Sequence, residues 1–184
     1  MDFWEIFDRH YSRVHAYAAS MLRDPAAGDD VVQETFIRAQ ANVDRLREPD
    51  KVLAWLLRIA HNLCMDQLRA RQAARIDEAA DVETAPAARV EPSVEADLER
   101  GEMSACVRDK VDQLPETDRS VILLYDISGL THEEVAAILD IEVGAAKVRL
   151  HRARKKLRSL LERACSFEQD ERNVLVCEPK QPGR

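Results

Sequence analysis

Apolar residues recur at three- and four-residue steps along nearly all of this chain, and the recurrence stops once, between Ile76 and Pro92. That period marks helices with one buried face, and the single interruption sorts them into two groups. Phe3, Phe7, Tyr11, Val14, Ala18 and Met21 define a first helix. Asp24-Pro25 reads as an N-cap followed by proline at the first helical position. It opens a second helix to about Ala41, with Val32, Thr35, Phe36 and Ala39 inside. A third runs from about Lys51 to Arg71, with Leu56, Ile59 and Leu63 inward and Arg58, Asn62 and Arg69 on the opposite arc. Beyond the interruption, Ser93 caps a helix whose stripe is Leu98, Met103, Val107, Val111 and Leu114. Pro115 starts another through Val121, Leu124 and Tyr125, which Gly129 ends.

Strand-built alternatives lack material, because aromatic residues make up only 5% of the chain. The expected fold is therefore all-α: two small helical domains, residues 1–75 and 93–163, joined by a flexible acidic linker, 76–92, and followed by a tail, 164–184. The linker holds Pro86 and Pro92 and no large apolar residue except Val82 and Val90, so it buries too little to repay its ordering. No internal repeat is visible. No apolar run approaches the length of a membrane span, and the N-terminus lacks the basic-then-apolar pattern of a secretory signal. Four cysteines in 184 residues are too few for a disulfide framework, which places the chain in a reducing cytoplasm.

Net charge is -7, yet its distribution matters more than its sum. Residues 77–99 carry eight acids against Arg89, a net of -7, whereas 144–163 carry eight bases against Glu162, a net of +7. Residues 58–75 add a smaller basic block, four arginines against Asp66, for +3. Two basic patches on an acidic chain suit a protein that touches a polyanion only at chosen points. A solvated basic helix face would carry the same charge.

The larger patch sits in a specific context. Thr131 and Glu134 form a capping box at the start of a short helix through Val135, Ile138 and Leu139. A break at Asp140-Ile141-Glu142 leads to a long basic helix with Leu150, Ala153, Leu157 and Leu160 on its core face. Short capped helix, tight turn and longer helix make a helix-turn-helix, whose second helix enters the major groove with its N-terminal part against base edges. Lys147 and Arg149 lie early enough to reach guanine acceptors. Arg152, Arg154 and Lys155 lie further along with Lys156 and Arg158, and most of these would position the protein on phosphates.

At this point the residues resemble a known family. The run Asp29-Asp30-Val31-Val32-Gln33-Glu34-Thr35-Phe36-Ile37-Arg38-Ala39 is similar to the core-polymerase-binding helix of the second conserved region of bacterial sigma factors. Trp55 through Leu63, with Asp66, resembles that region's -10 element helix. Leu114-Pro115, Arg119, Gly129 through Ala136 and Gly144 through Leu157 resemble the fourth region. With no large segment between the two, the chain looks like the extracytoplasmic-function group of the sigma-70 family.

The resemblance implies an alternative sigma factor that binds core RNA polymerase and directs promoter recognition, melting and initiation, with no catalysis of its own. It places Asp29, Asp30, Gln33 and Glu34 against core polymerase. Arg58, Asn62, Asp66 and Arg69 would meet the -10 element, and Lys147, Arg149, Arg152, Arg154 and Lys155 the -35 element. The family's base-capturing loop falls at Arg45 to Lys51, where no pocket is legible. His61 is either a DNA contact or a solvated helix residue. The resemblance also implies an anti-sigma partner. The acidic linker either mimics nucleic acid in a basic channel or only stays soluble and extended. Two departures stand out: Glu142 and Ala145 occupy positions where many relatives carry Ser or Thr, removing hydroxyls near the recognition-helix start.

Cys64 and Cys106 read as small buried hydrophobes. Cys165 and Cys177 flank a polar stretch that could turn the chain into a hairpin. They are a frayed tail's incidental thiols, a redox pair, or two of the four ligands of a zinc ion. No other cofactor is expected. No enzyme motif is present, since His132-Glu133-Glu134 lacks a second histidine four residues on. The rival readings are a dimeric helix-turn-helix regulator acting without polymerase, and a helical adaptor that never reads DNA.

Overall fold

The structure, a computed structural model, describes residues 3–45, 48–78, 105–169 and 175–179. Seven α-helices and a terminal hairpin make up the described chain. Helix α1 (Phe3–Leu22) ends at Arg23, which takes a left-handed φ of 54°, and α2 (Pro25–Gln40) starts at once. The turn is tight because the Asp24 carboxylate accepts from Ala27 N–H at 3.2 Å, and Pro25 supplies a helical φ without an N–H to satisfy. Helices α1 and α2 cross at Gly28, where a Cβ would lie 2.9 Å from the Ala19 backbone. Two 3₁₀ turns, Val43–Arg45 and Pro49–Lys51, lead to α3 (Val52–Glu78).

α3 continues through Ile76, Asp77 and Glu78, three residues past the expected domain edge. Its buried arc is Val52, Leu53, Leu56, Leu57, Ala60, His61 and Cys64, while Ile59 and Leu63 are only half-buried. The expected inner face is thus rotated toward Leu57 and His61. The remaining expected linker, and the expected helix from Ser93 to Met103, lie outside the described residues.

The second group comprises α4 (Ala105–Asp112), α5 (Glu116–Ile122), a π-helical turn over Leu123–Ile127, α6 (His132–Leu139) and α7 (Val143–Ala164). Gly129, at φ 67°, closes the π turn in a conformation that glycine adopts without strain. The two helical groups share one hydrophobic core, and α3 packs against α6.

Polar bonds join the groups as well. Arg119, on α5 and 2% exposed, donates to the carbonyls of Ser20 at 3.0 Å and Met21 at 3.1 Å, in the last turn of α1. It also donates to Leu114 O at 3.3 Å. Arg23 reaches the same Leu114 carbonyl at 3.1 Å, Ser20 Oγ donates to Asp112 at 2.6 Å, and Arg13 donates to Ser128 O at 2.5 Å. A helix leaves its last carbonyls without intrahelical partners, so a guanidinium at that end satisfies them and opposes the negative pole of the dipole.

Both regions are helical, and an antiparallel hairpin follows α7: β1 (Cys165–Gln169) and β2 (Leu175–Pro179). Its register sets Cys165 opposite Pro179 and Cys177 opposite Phe167. The cysteines therefore occupy diagonal positions.

Candidate nucleic-acid and polymerase interfaces

Helix α2 buries Val31, Val32, Thr35, Phe36 and Ala39. The same turns leave Asp29, Asp30 and Gln33 exposed and Glu34 half-buried. Asp29 lies 3.1 Å from His15 Nε2, and Glu34 accepts from Arg38 Nε at 2.6 Å. Ile37, 54% exposed, continues this polar stripe by one turn as an apolar contact point.

On α3, Arg58, Asn62, Asp66 and Arg69 all lie on the solvent side. Four-residue steps bring the first three onto one line, and Arg69 pairs with Asp66 at 2.5 Å. His61 departs from this face. It is 9% exposed and hydrogen-bonded through Nδ1 to the buried Tyr17 hydroxyl at 2.8 Å. Burial lowers its pKa from 6.5 to about 4, so the ring is neutral at physiological pH. It is therefore neither a DNA contact nor a solvated residue. The signal was present in the sequence, since His61 stands four residues after Leu57 and three before Cys64. Cys64 is buried as expected, and burial pushes its thiol up to about 12. The side chain of Cys106 lies outside the described residues.

The helix-turn-helix is built locally. Thr131 Oγ1 accepts from Glu134 N–H at 3.2 Å, and Glu134 Oε2 accepts from Thr131 N–H at 2.8 Å. Asp140, with φ 53°, ends α6 in the left-handed region, and Ile141 N–H returns to Ala136 O at 3.0 Å. Glu142 O then accepts from Ala146 N–H at 3.0 Å, which starts α7. Ala146, Leu150 and Ala153 bury one side of α7 and leave its cations facing out.

Those cations are not equivalent. Arg154 donates through both Nε and a terminal nitrogen to Asp126, the Nε bond being 3.0 Å, and lies 5.3 Å over the Tyr125 ring. The Asp126 bond raises its pKa further, so this charge fastens α7 to the π turn. Lys156 pairs with the buried carboxylate of Asp118, and Arg158 with Glu162 at 2.7 Å. Among the described residues, no carboxylate pairs with Lys147, Arg149, Arg152 or Lys155. Arg149 and Arg152 line a cleft between α5 and α7 with Thr117 and Val148. Arg154, expected among the DNA-facing bases, is also bonded to Asp126, 28 residues away, a partner the sequence does not announce.

Among the described residues, no group of three or more potential ligands could hold a metal ion, and no helix is long and apolar enough to cross a membrane. What remains is a set of three exposed surfaces: a polar stripe on α2, a mixed line on α3, and an uncompensated cationic arc on α7.

Comparison with known proteins gives these surfaces a context. Residues 6–74 match the family described as Sigma-70 region 2, and residues 104–157 match Sigma-70, region 4. The ECF RNA polymerase sigma factor EcfG of Rhodopseudomonas palustris is 37% identical over 148 residues, 80% of this chain and 78% of the relative. The ECF sigma factor SigW of Bacillus subtilis is 33% identical over 168 residues, 86% of this chain and 88% of the relative. Among solved structures, the complex of the sigma factor RpoE with the anti-sigma factor NepR from Bartonella quintana gives a TM-score of 0.72 at 27% identity. That match covers 88% of this chain and 97% of that one. CnrH, solved with the cytosolic domain of CnrY, gives 0.60 at 31% identity over 88% of each chain.

Proposed function

The chain belongs to the extracytoplasmic-function group of bacterial RNA polymerase sigma factors, within the sigma-70 family, and from that premise we propose which surface performs each part of its work. As such a factor it binds core RNA polymerase and directs promoter recognition and initiation, and it is not an enzyme.

Asp29, Asp30, Gln33 and Glu34 form the polymerase contact. Their support is geometric: a polar, largely exposed stripe on a helix whose other side is fixed in the core. Arg58, Asn62, Asp66 and Arg69 face the -10 element. Opening it requires unstacking bases, about a few kcal/mol per base, and the free energy of binding over both regions supplies this. Lys147, Arg149, Arg152 and Lys155 meet the -35 element, while Arg154 holds the helix that carries them. An anti-sigma factor that covers these faces is the regulatory partner, by analogy with the complex formed by the Bartonella protein. The segments 1–75 and 93–163 are the two working regions, and the acidic stretch between them is a tether. The tail cysteines are incidental thiols, a reading supported by their diagonal and not facing register positions.

The observation that carries this reading is the uncompensated charge on α7 beside a complete capping box and turn. Its test is to mix the purified chain with bacterial core polymerase and sequence transcripts from fragmented genomic DNA of its host. Discrete starts sharing two upstream elements are expected, and Arg149→Ala with Arg152→Ala should abolish them. Removing a cation that neutralises one phosphate should also flatten the salt dependence of binding by about 0.9 in log–log slope. Tight operator binding without polymerase would instead establish a dimeric regulator. Core binding with transcription indifferent to both substitutions would leave an adaptor.

A further inference from the structure

Helix α7 is buried along Ala146, Leu150 and Ala153. At 3.6 residues per turn each residue advances about 100°, which puts both Lys155 and Val148 within about 15° of the point diametrically opposite that face. Arg152 and Lys155 lie within about 40° of Val148, whereas Lys147 and Arg149 stand about 100° to either side of it. Val148 is therefore the aliphatic residue on this outward line, 51% exposed where it lines the cleft between α5 and α7. Ahead of it on the helix, Gly144 and Ala145 are small and exposed, and nothing lies within 4 Å of where a Gly144 Cβ would be.

We propose that Val148 is a specificity-determining residue that packs on the C5-methyl group of a thymine in the upstream promoter element, with Arg152 reading a guanine beside it. The proposal rests on the assignment of α7 as the helix that enters the DNA. A helix seated in the major groove brings its outermost line to the base edges, and the apolar group displayed there is the thymine methyl. Among cationic neighbours, a branched aliphatic side chain has no other complementary surface on a duplex. Its restricted χ1 also means that little rotamer freedom is lost on contact. Small residues one turn earlier let the backbone come close enough for a short side chain to reach.

Spacing makes the proposal sharper. Four residues of helix rise about 6 Å, close to two base steps at about 3.4 Å each. The thymine and the guanine should thus fall one or two base pairs apart. Lys147 and Arg149, splayed to the sides, then reach the two phosphate backbones instead of base edges. This revises the sequence-based assignment of those two residues as base readers.

The experiment uses full-length chain in holoenzyme with core polymerase. Once its start sites define the upstream element, each thymine there is replaced by uracil, which removes only the methyl group. At one thymine the substitution should weaken promoter binding by wild-type holoenzyme about fourfold, the effect expected for one buried methyl. Val148→Ala holoenzyme should be indifferent to uracil at that position alone. Val148→Ser should relax selection there and leave the neighbouring guanine required. A methyl effect that persists in Val148→Ala, or an element with no thymine in reach of a required guanine, would overturn the proposal while leaving the sigma assignment intact. Absence of any promoter-directed initiation would overturn both.

Discussion

His61 shows how much one side chain's environment decides. The same imidazole on the adjacent arc of α3 would titrate near 6.5 in water; here it is 9% exposed and bonded to Tyr17. Its folded pKa of about 4 lies below the unfolded value of 6.5, so between these pH values the unfolded chain binds more protons. Stability therefore rises with pH through that window, is complete above it, and falls as pH drops toward 4. The full shift corresponds to about 3 kcal/mol. Urea titrations of wild type and His61→Gln at pH 7 and pH 5 isolate the effect from other carboxylates. The wild type should lose more stability on acidification than the variant, and equal losses would place the imidazole in solvent. Tyr17 contributes to the same buried pair, and burial raises its pKa well above 10.0, so it stays a neutral hydrogen-bonding group throughout.

Elements written by local rules were the legible ones. Asp24-Pro25 and Thr131 with Glu134 announce helix starts because a cap bonds only to residues within one turn. Positions decided by distant neighbours were not legible. Gly28 sits inside an ordinary helical pattern and only the structure reveals Ala19 packed against it. The bond from Arg154 to Asp126 spans 28 residues and leaves no local mark in the sequence. In the tail, a turn could be read from polar residues, but register could not, since it depends on pairing across the hairpin. The two described helical glycines give a paired prediction. Gly28→Ala would set a methyl 2.9 Å from the Ala19 backbone, so α1 and α2 must separate, at a cost of about 1–3 kcal/mol. Gly144→Ala meets open space and should be neutral or stabilising by up to about 1 kcal/mol. Thermal denaturation of both variants checks this, and a Gly28→Ala protein as stable as wild type would mean the helices do not cross as described.

At the scale of the whole molecule, the two helical groups are joined through one core and through Arg119. Burial lowers the pKa of this guanidinium to about 10, which still leaves it charged at neutral pH, and it faces three backbone carbonyls and, among the described residues, no direct carboxylate partner. Its Nε is buried without a partner, so the arrangement already carries a cost. Replacing it with methionine keeps the aliphatic stem but leaves the Ser20 and Met21 carbonyls without the guanidinium, while Leu114 O keeps its bond from Arg23. Stranding buried acceptors costs about 1–3 kcal/mol, and relief of the buried charge offsets part of that. In a chain of this size each kcal/mol lowers the melting midpoint by about 2–4 °C. The location of the probes makes the test discriminating. Both tryptophans, Trp4 and Trp55, belong to the first helical group, on α1 and α3, while Arg119 belongs to the second. If the groups unfold as one unit, Arg119→Met shifts the tryptophan transition and the far-ultraviolet circular dichroism transition together. If the tryptophan transition stays where it was while the helical signal splits, the two groups are energetically independent, and Arg119 stabilises only its own.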